Sequence, residues 1–154
     1  MMGVDVQIAC APDQPLPSSL DLARWARAAL DAPRKDFDLT VRIVDAEEGL
    51  ALNRDYRGGQ SPTNVLSFPF SPDGGVTLDL LGDVVICAPV IAREAAEQGK
   101  SLAAHYAHMV VHGVLHLQGL EHDDDASAEA MEGRERDLLL SLGFPDPYEQ
   151  VGQT

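Results

Sequence analysis

The stretch HGVLHLQGLEH, which runs from His112 to His122, constrains the chain more than any other part of its sequence. On a helix, His112 and His116 lie one turn apart on the same face, so both imidazoles can reach one ion. Gly119 lets the chain leave the helix through a left-handed turn, after which His122 can swing back. The spacing therefore predicts a helix that ends at a glycine and a metal site formed by His112, His116 and His122.

Three neutral imidazoles are the donor set of a catalytic zinc site whose fourth position holds water. Such an ion lowers the pKa of its water toward about 7 or polarises a phosphoryl oxygen, which predicts a hydrolytic centre. One zinc ion is expected, and another divalent metal can replace it. Proteases of the metzincin type share the spacing but carry a glutamate directly after the first histidine as general base. Gly113 occupies that position here, which disfavours a peptidase.

Two further histidines, His105 and His108, precede the motif on the same predicted helix. Four ligands from one helix would span too much length for one ion, so we predict that these two pack or hydrogen-bond around the site. The acidic run 123–125 is predicted to begin the last helix, where negative charge meets the positive end of the helix dipole. The alternative is that one of these acids accepts a hydrogen bond from His122.

Length and composition favour one compact domain. The chain has 154 residues, of which 45% are hydrophobic, and we expect a single domain over 1–154 with a loose tail over 146–154. No run approaches the ~20 apolar residues of a membrane span, and the first residues, MMGVDVQIAC, lack the features of a signal peptide. Cys10 and Cys87 form no CxxC pair, which favours reduced thiols. We therefore expect a cytoplasmic protein that binds no membrane.

Hydrophobic periodicity predicts four strands and five helices. Leu39, Val41 and Ile43 alternate with polar residues in one strand, and LLGDVVICA forms another of nearly continuous apolar character. Pro69 removes a backbone donor from the strand NVLSFPF, which predicts a position at the edge of a sheet. The order of the elements predicts an α+β or mixed α/β domain, with a sheet of about four strands packed with helices.

Capping residues indicate where the predicted helices begin and end. Ser18 or Ser19 can cap the first helix, on which Trp25 marks the buried face. Gly99 can close the third helix, and Ser101 can cap the histidine-bearing helix that follows. The motif histidines are thus expected on a helix with a defined start.

Three stretches of the sequence resemble the YbeY family of bacterial rRNA maturation factors, which are single-strand-specific, metal-dependent endoribonucleases: LNRDYRGGQSPTNVLSFPF, LLGDVVIC and AHMVVHGVLHLQGLEH. The resemblance runs from about Leu52 to Pro147, and more loosely over the N-terminal third. It implies a zincin-like α+β domain with zinc on the three motif histidines. It also implies a role in 16S ribosomal RNA maturation and ribosome quality control, with single-stranded RNA, ribosomal RNA and ribosome components as partners, and not DNA.

The resemblance also assigns Arg57, in the sequence YRG, as the functional arginine. A guanidinium on a turn can donate hydrogen bonds to two phosphate oxygens at once and stabilise the charge that develops during phosphodiester cleavage. Arg57 and His112 are therefore the predicted catalytic residues. The chain departs from the family at Gly59, where a lysine is common, and at Leu120 and Glu121, where a tyrosine and an aspartate are common.

The net charge of −14 repels polyanions, so RNA must be drawn to a local positive site. A divalent ion together with Arg57, Arg54 and Lys100 would form such a site, which predicts weak RNA affinity with a shallow salt dependence. Two other functions stay open at this point. One is a ribosome assembly or quality-control factor whose metal chiefly stabilises the fold, and the other is a zincin-type peptidase. Three histidines without a nearby cysteine favour a catalytic site over a structural one.

Overall fold

The computed structural model describes residues 3–30, 38–69, 80–118 and 124–148, which form a four-stranded sheet and five helices. None of the helices within these residues is long and apolar enough to cross a bilayer. The elements, in chain order, are β1 Gly3–Ala9, α1 Ser19–Ala28, β2 Asp38–Val44, α2 Ala46–Arg57, β3 Val65–Pro69, β4 Leu80–Cys87, α3 Ala88–Gln98, α4 Leu102–Leu117 and α5 Asp125–Ser141.

The four strands form one mixed sheet in the order β1-β2-β4-β3. β1 pairs with β2 and β2 pairs with β4 in parallel, whereas β3 pairs with β4 in antiparallel orientation. The strand with Pro69 therefore lies at an edge, as its missing backbone donor predicts. The predicted fold class, an α+β domain with a mixed sheet of about four strands, is confirmed.

One irregularity shapes the start of β4. The register between β2 and β4 shifts between Asp38 and Leu39, and Gly82 lies opposite Leu39 with a φ of 141°. Only glycine adopts this backbone conformation without strain, because it lacks a Cβ atom. The bulge precedes the regular pairing of Val84 and Ile86 with β2, and these two side chains form part of the main core.

The main hydrophobic core fills the space between one face of the sheet and the helices α1, α4 and α5. β2 and β4 point alternate side chains, such as Val41 and Val84, toward these helices. Trp25 of α1 and Tyr106 of α4 are the largest fully buried side chains of this core. α4 is thereby held against the sheet along its length, which fixes the helix that carries His112 and His116.

A smaller core covers the opposite face of the sheet. Leu66, Val85 and Cys87 point to this side, and Leu52 of α2 and Phe68 of β3 pack against them. α2 contacts β2, β4 and α3 and thus lies on the other side of the sheet from α4. As a consequence, the helix that ends at Arg57 and the helix that carries His112 lie on opposite faces of the sheet.

The predicted helix ends agree with the observed caps. The hydroxyl of Ser18 accepts a hydrogen bond from the backbone N–H of Asp21, and that of Ser101 accepts one from Ala104. Gly99 ends α3 in the left-handed conformation with a φ of 67°. Ile8 of β1 is 46% exposed, because β1 is the other edge of the sheet.

Candidate metal centre

Gly113 lets α4 approach the sheet so closely that no side chain fits at this position. An ideal Cβ atom at residue 113 would lie 2.7 Å from Cγ1 of Val84 and 3.3 Å from Oγ of Ser67. The hydroxyl of Ser67 also donates a hydrogen bond to the carbonyl oxygen of Gly113 over 3.1 Å. The glutamate that metzincin proteases carry after their first histidine therefore has no space here.

His112 lies on the face of α4 that meets α5. Its Nδ1 is 2.6 Å from Oε2 of Glu135, a side chain that is fully buried. Because an ionised carboxylate only accepts hydrogen bonds, Nδ1 donates to it, and Nε2 is the other ring nitrogen, the one that a metal would bind. Metal-binding histidines are oriented in the same way, by a carboxylate that accepts the N–H opposite the metal.

Glu135 accepts hydrogen bonds from two further donors. Nε2 of His108 lies 2.7 Å from its Oε1, and the hydroxyl of Tyr148 donates to the same oxygen. Burial raises the pKa of Glu135, but the hydrogen bonds from His108, His112 and Tyr148 outweigh it and lower the pKa to about 2. Glu135 is thus ionised at neutral pH and holds three donors in place.

His105 makes a similar bond to a different carboxylate. Its Nε2 lies 2.9 Å from Oε1 of Glu94 on α3, and Asn64 donates to the same oxygen over 3.1 Å. Burial lowers the pKa of His105 although Glu94 opposes this shift. His105 and His108 each direct Nε2 to a carboxylate, which confirms the hydrogen bonding predicted for them.

Two of the three predicted metal ligands lie on one described helix. His112 and His116 are one turn apart on α4, and both side chains are partly exposed. His122 and Gly119 lie outside the described residues, so the third ligand and the turn that brings it back stay predictions. Within 3–30, 38–69, 80–118 and 124–148, no three His, Cys, Asp or Glu side chains converge in a group that would hold an ion.

A cavity of about 320 Å³ opens beside His112, between α4 and α5. One wall is the ring of His112, whose side chain is 26% exposed. The volume is within the range of small-ligand sites. The described residues that line the cavity are His112, Ala128, Met131, Glu132, Glu135 and Tyr148.

Arg57 is the last residue of α2 and is exposed. Gly58 follows it with a φ of 69° and ends the helix in the left-handed conformation. Among the described residues, Arg57 makes no hydrogen bond or ion pair. The chain neighbours of Arg57 and His112 contact β3: Tyr56 packs its ring against Phe68, and Ser67 donates a hydrogen bond to Gly113 of α4.

The loop after Arg57 is closed by a buried amide. Nδ2 of Asn53 donates to the carbonyl oxygen of Ser61 over 2.8 Å. An ideal Cβ atom at Gly59 would lie only 2.1 Å from that Nδ2. The lysine that is common at this position in similar sequences would therefore require a different loop conformation.

Comparisons with known proteins identify the family. The family model described as Endoribonuclease YbeY matches residues 13–143, which is most of the chain. The chain belongs to the YbeY family. The predicted enzyme class, an endoribonuclease and thus a hydrolase that cleaves RNA, is confirmed at the level of the family.

Curated YbeY relatives share more than half of their residues with the chain. A protein named Endoribonuclease YbeY from Xanthomonas oryzae pv. oryzae (strain MAFF 311018) is 56% identical over 150 residues, which are 94% of this chain and 93% of the relative. One with the same name from Stenotrophomonas maltophilia (strain K279a) is 57% identical with the same coverage. The solution structure of TM1509 from Thermotoga maritima has a TM-score of 0.59 and 21% identity, and covers 98% of this chain and 99% of that one. This last likeness concerns the fold alone.

The YbeY resemblance assigns no role to two residues that hold the predicted site together, Glu135 and Tyr148. Sequence reasoning missed Glu135, although its spacing contains a signal. It lies four residues after Met131 and four before Leu139, both buried, so a charged residue occupies the apolar stripe of α5. A charge at such a position calls for buried hydrogen-bond partners.

Tyr148 lies within the segment 146–154, for which the sequence predicts a loose tail. Its hydroxyl donates to Glu135, and its ring packs against that of His108 with the centroids 5.4 Å apart. Asp146 forms an ion pair with Arg136 of α5 at 3.1 Å. The chain is therefore packed up to residue 148, whereas 149–154 lie outside the described residues.

Proposed function

We propose that this protein is a metal-dependent endoribonuclease that cleaves single-stranded ribosomal RNA during 16S rRNA maturation and ribosome quality control in the cytoplasm. The relatives named Endoribonuclease YbeY support cleavage of RNA. The resemblance of the motifs supports ribosomal RNA as the substrate, zinc as the metal, and ribosome components as partners. DNA is not expected to be a substrate.

The observation that carries the proposal is the cavity of about 320 Å³ beside His112. A structural zinc site is closed by four protein ligands, whereas a catalytic site keeps one position open to water or substrate. The partly exposed ring of His112 lines a space that an incoming group can enter. This favours a catalytic metal over one that only stabilises the fold.

The residues present suit a divalent ion such as zinc. His112 turns Nδ1 toward Glu135, so that Nε2 is the nitrogen that would bind an ion, and His116 lies on the same face of α4 one turn later. With His122, these would hold the ion through three nitrogen atoms. When bound, the ion lowers the pKa of its water or polarises a phosphoryl oxygen, which is the chemistry that RNA cleavage needs.

Arg57 is proposed to bind the scissile phosphate. Its guanidinium is exposed and makes no ion pair within the described part of the chain, so it can bind two phosphate oxygens. Positive charge at this point stabilises the extra negative charge of the transition state. Because the chain neighbours of Arg57 and His112 both contact β3, the RNA strand is expected to cross this edge of the sheet.

Cleavage of matched single- and double-stranded RNA tests the proposal directly. We expect the purified, metal-loaded protein to cut the single strand and to leave the duplex intact. Analysis of the product ends distinguishes the nucleophile, because attack by the 2′-hydroxyl leaves a cyclic phosphate and attack by water does not. Equal cleavage of both RNAs, or no cleavage with full metal content, would contradict the proposal.

Replacing Arg57 with alanine is expected to lower the cleavage rate by about 100-fold to 1000-fold, the usual effect of removing one donor that stabilises a transition-state charge. Metal content and the free energy of unfolding should stay at wild-type values, because the side chain is exposed. The measurement is single-turnover cleavage of a single-stranded RNA.

Arg24→Ala is the matched control for this experiment. Arg24 is also an exposed helical arginine, but it lies on α1 and pairs with Asp21 at 3.2 Å. The control removes the same charge from a different part of the surface, and we expect wild-type cleavage. An equal loss in both variants would mean that net charge, and not a contact made by Arg57, determines the rate.

The peptidase alternative is disfavoured by the packing of Gly113. A glutamate beside the first histidine would serve as general base in a metzincin protease, and Val84 leaves no space for it. Peptide hydrolysis that increases with metal content would reopen this alternative.

A further inference from the structure

We infer that Glu135 is a positioning residue for the metal site, and that Tyr148 completes its hydrogen bonding from the C-terminal segment. In this arrangement Glu135 fixes the ring of His112 with Nδ1 protonated, so that Nε2 is the atom offered to the ion. The inference rests on the proposed role of His112 as a metal ligand. The family resemblance assigns no role to either Glu135 or Tyr148.

The geometry divides the two carboxylate oxygens between different donors. Oε2 of Glu135 accepts a hydrogen bond from Nδ1 of His112 over 2.6 Å. Oε1 accepts one from Nε2 of His108 over 2.7 Å and another from the hydroxyl of Tyr148. The imidazole of His112 is thereby held against α5 at one defined angle. A ligand fixed in this way loses less freedom when it binds an ion.

The burial of Glu135 argues against a purely stabilising role. Taking a carboxylate out of water costs several kcal/mol, and buried ionic groups can often be replaced by apolar residues without loss of stability. The stripe of α5 supplies Met131 one turn before and Leu139 one turn after, so an apolar residue would continue the core. A charge at this position is therefore explained by its orientation of His112.

The same carboxylate binds its two histidines through different ring nitrogens. His112 donates through Nδ1, whereas His108 donates through Nε2. His108 thus contacts Glu135 through Nε2, the nitrogen that in His112 is proposed to bind the metal. This difference gives a spectroscopic signature, because the ¹⁵N shifts of the two ring nitrogens report which one carries the proton.

Glu135→Gln tests the inference, since glutamine keeps the shape but has one oxygen acceptor in place of two. This single oxygen cannot accept a hydrogen bond from His112 on one side and from His108 and Tyr148 on the other. In the metal-free protein we expect the ¹⁵N spectrum of His112 to lose its pure Nδ1–H signature. In a chelator competition we expect zinc affinity to fall by about 10-fold to 100-fold. Wild-type ¹⁵N shifts and zinc affinity in the folded variant would overturn the inference.

Glu94→Gln is the matched control. Glu94 also accepts from Nε2 of a histidine on α4, His105, but that histidine is not a proposed ligand. We expect unchanged zinc affinity and unchanged ¹⁵N shifts of His112 in this variant. An equal loss of zinc affinity in both variants would mean that α4 as a whole is held less firmly. Such a result would overturn a specific role of Glu135.

Tyr148→Phe tests the inference if Glu135→Gln does not fold. Tyr148 is 40% exposed, and this variant removes only the hydroxyl group and leaves the core intact. Loss of this single hydrogen bond is expected to lower zinc affinity by about 3-fold to 10-fold and to shift the ¹⁵N resonances of His112. No change in either quantity would overturn the part of the inference that concerns Tyr148. The ¹⁵N readout uses metal-free protein without RNA, so it can fail or succeed independently of the proposed nuclease function.

Discussion

Replacing His116 with alanine is expected to abolish metal binding and to lower cleavage of single-stranded RNA by about 1000-fold or more. The size follows from the several kcal/mol of charge stabilisation that a catalytic ion supplies, since each 1.36 kcal/mol corresponds to a factor of ten. His116 is partly exposed near the end of α4, so its removal should leave the sheet and the main core in place. Metal content is measured on the purified variant, and cleavage is followed under single-turnover conditions.

His105→Gln is the control for the His116 variant. Glutamine at this position can still donate to Glu94, and His105 is not a proposed ligand. We expect metal content and cleavage close to wild type. If the His116 variant folds without metal and cuts RNA at the wild-type rate, the metal is not required for cleavage, and the proposal of a metal-dependent nuclease is wrong.

Replacing Gly113 with glutamate is expected to prevent folding and not to create a protease. The new Cβ atom would lie 2.7 Å from Val84, and the carboxylate would be forced into the space between α4 and the sheet. Gly113→Ala isolates the steric part, for which we expect a loss of about 1–3 kcal/mol in the free energy of unfolding. Urea denaturation of the alanine variant and solubility of the glutamate variant are the measurements.

A double-mutant cycle with Val84→Ala checks the cause of this effect. Val84→Ala alone should destabilise the protein, because it leaves a cavity in the core. In combination with Gly113→Ala, part of the loss should be recovered, because the shortened side chain makes room for the new methyl group. Purely additive losses would mean that the contact with Val84 does not determine why residue 113 is glycine.

The sequence was sufficient to predict the elements of the fold, because local signals determine them. Ser18, Gly99 and Ser101 act on the chain within one helical turn, and each ends or begins a helix where expected. Pro69 removes one backbone donor and therefore marks an edge strand in any sheet. Local chemistry of this kind requires no knowledge of the partner elements.

The supporting residues of the candidate site could not be predicted in the same way. Glu135 and Tyr148 act on His112 from positions 23 and 36 residues later in the chain, and only the packing of α5 and the C-terminal segment against α4 brings them close. The spacing of histidines within one helix predicts which rings can share an ion. It contains no information on which carboxylate orients them, since that depends on the fold of the whole chain.

The parallel pairing of the central strands has a consequence for the order of folding. Gly3 pairs with Asp38 and Asp38 with Leu80, so closing the sheet joins segments that are 35 and then 42 residues apart. Closing such loops lowers the entropy of the chain before the stabilising contacts between the strands have formed. This step is therefore slow relative to helix formation. We expect α4 to pack only after the sheet has formed and the proposed ion to bind late in folding, so that chelators change the unfolding rate more than the folding rate.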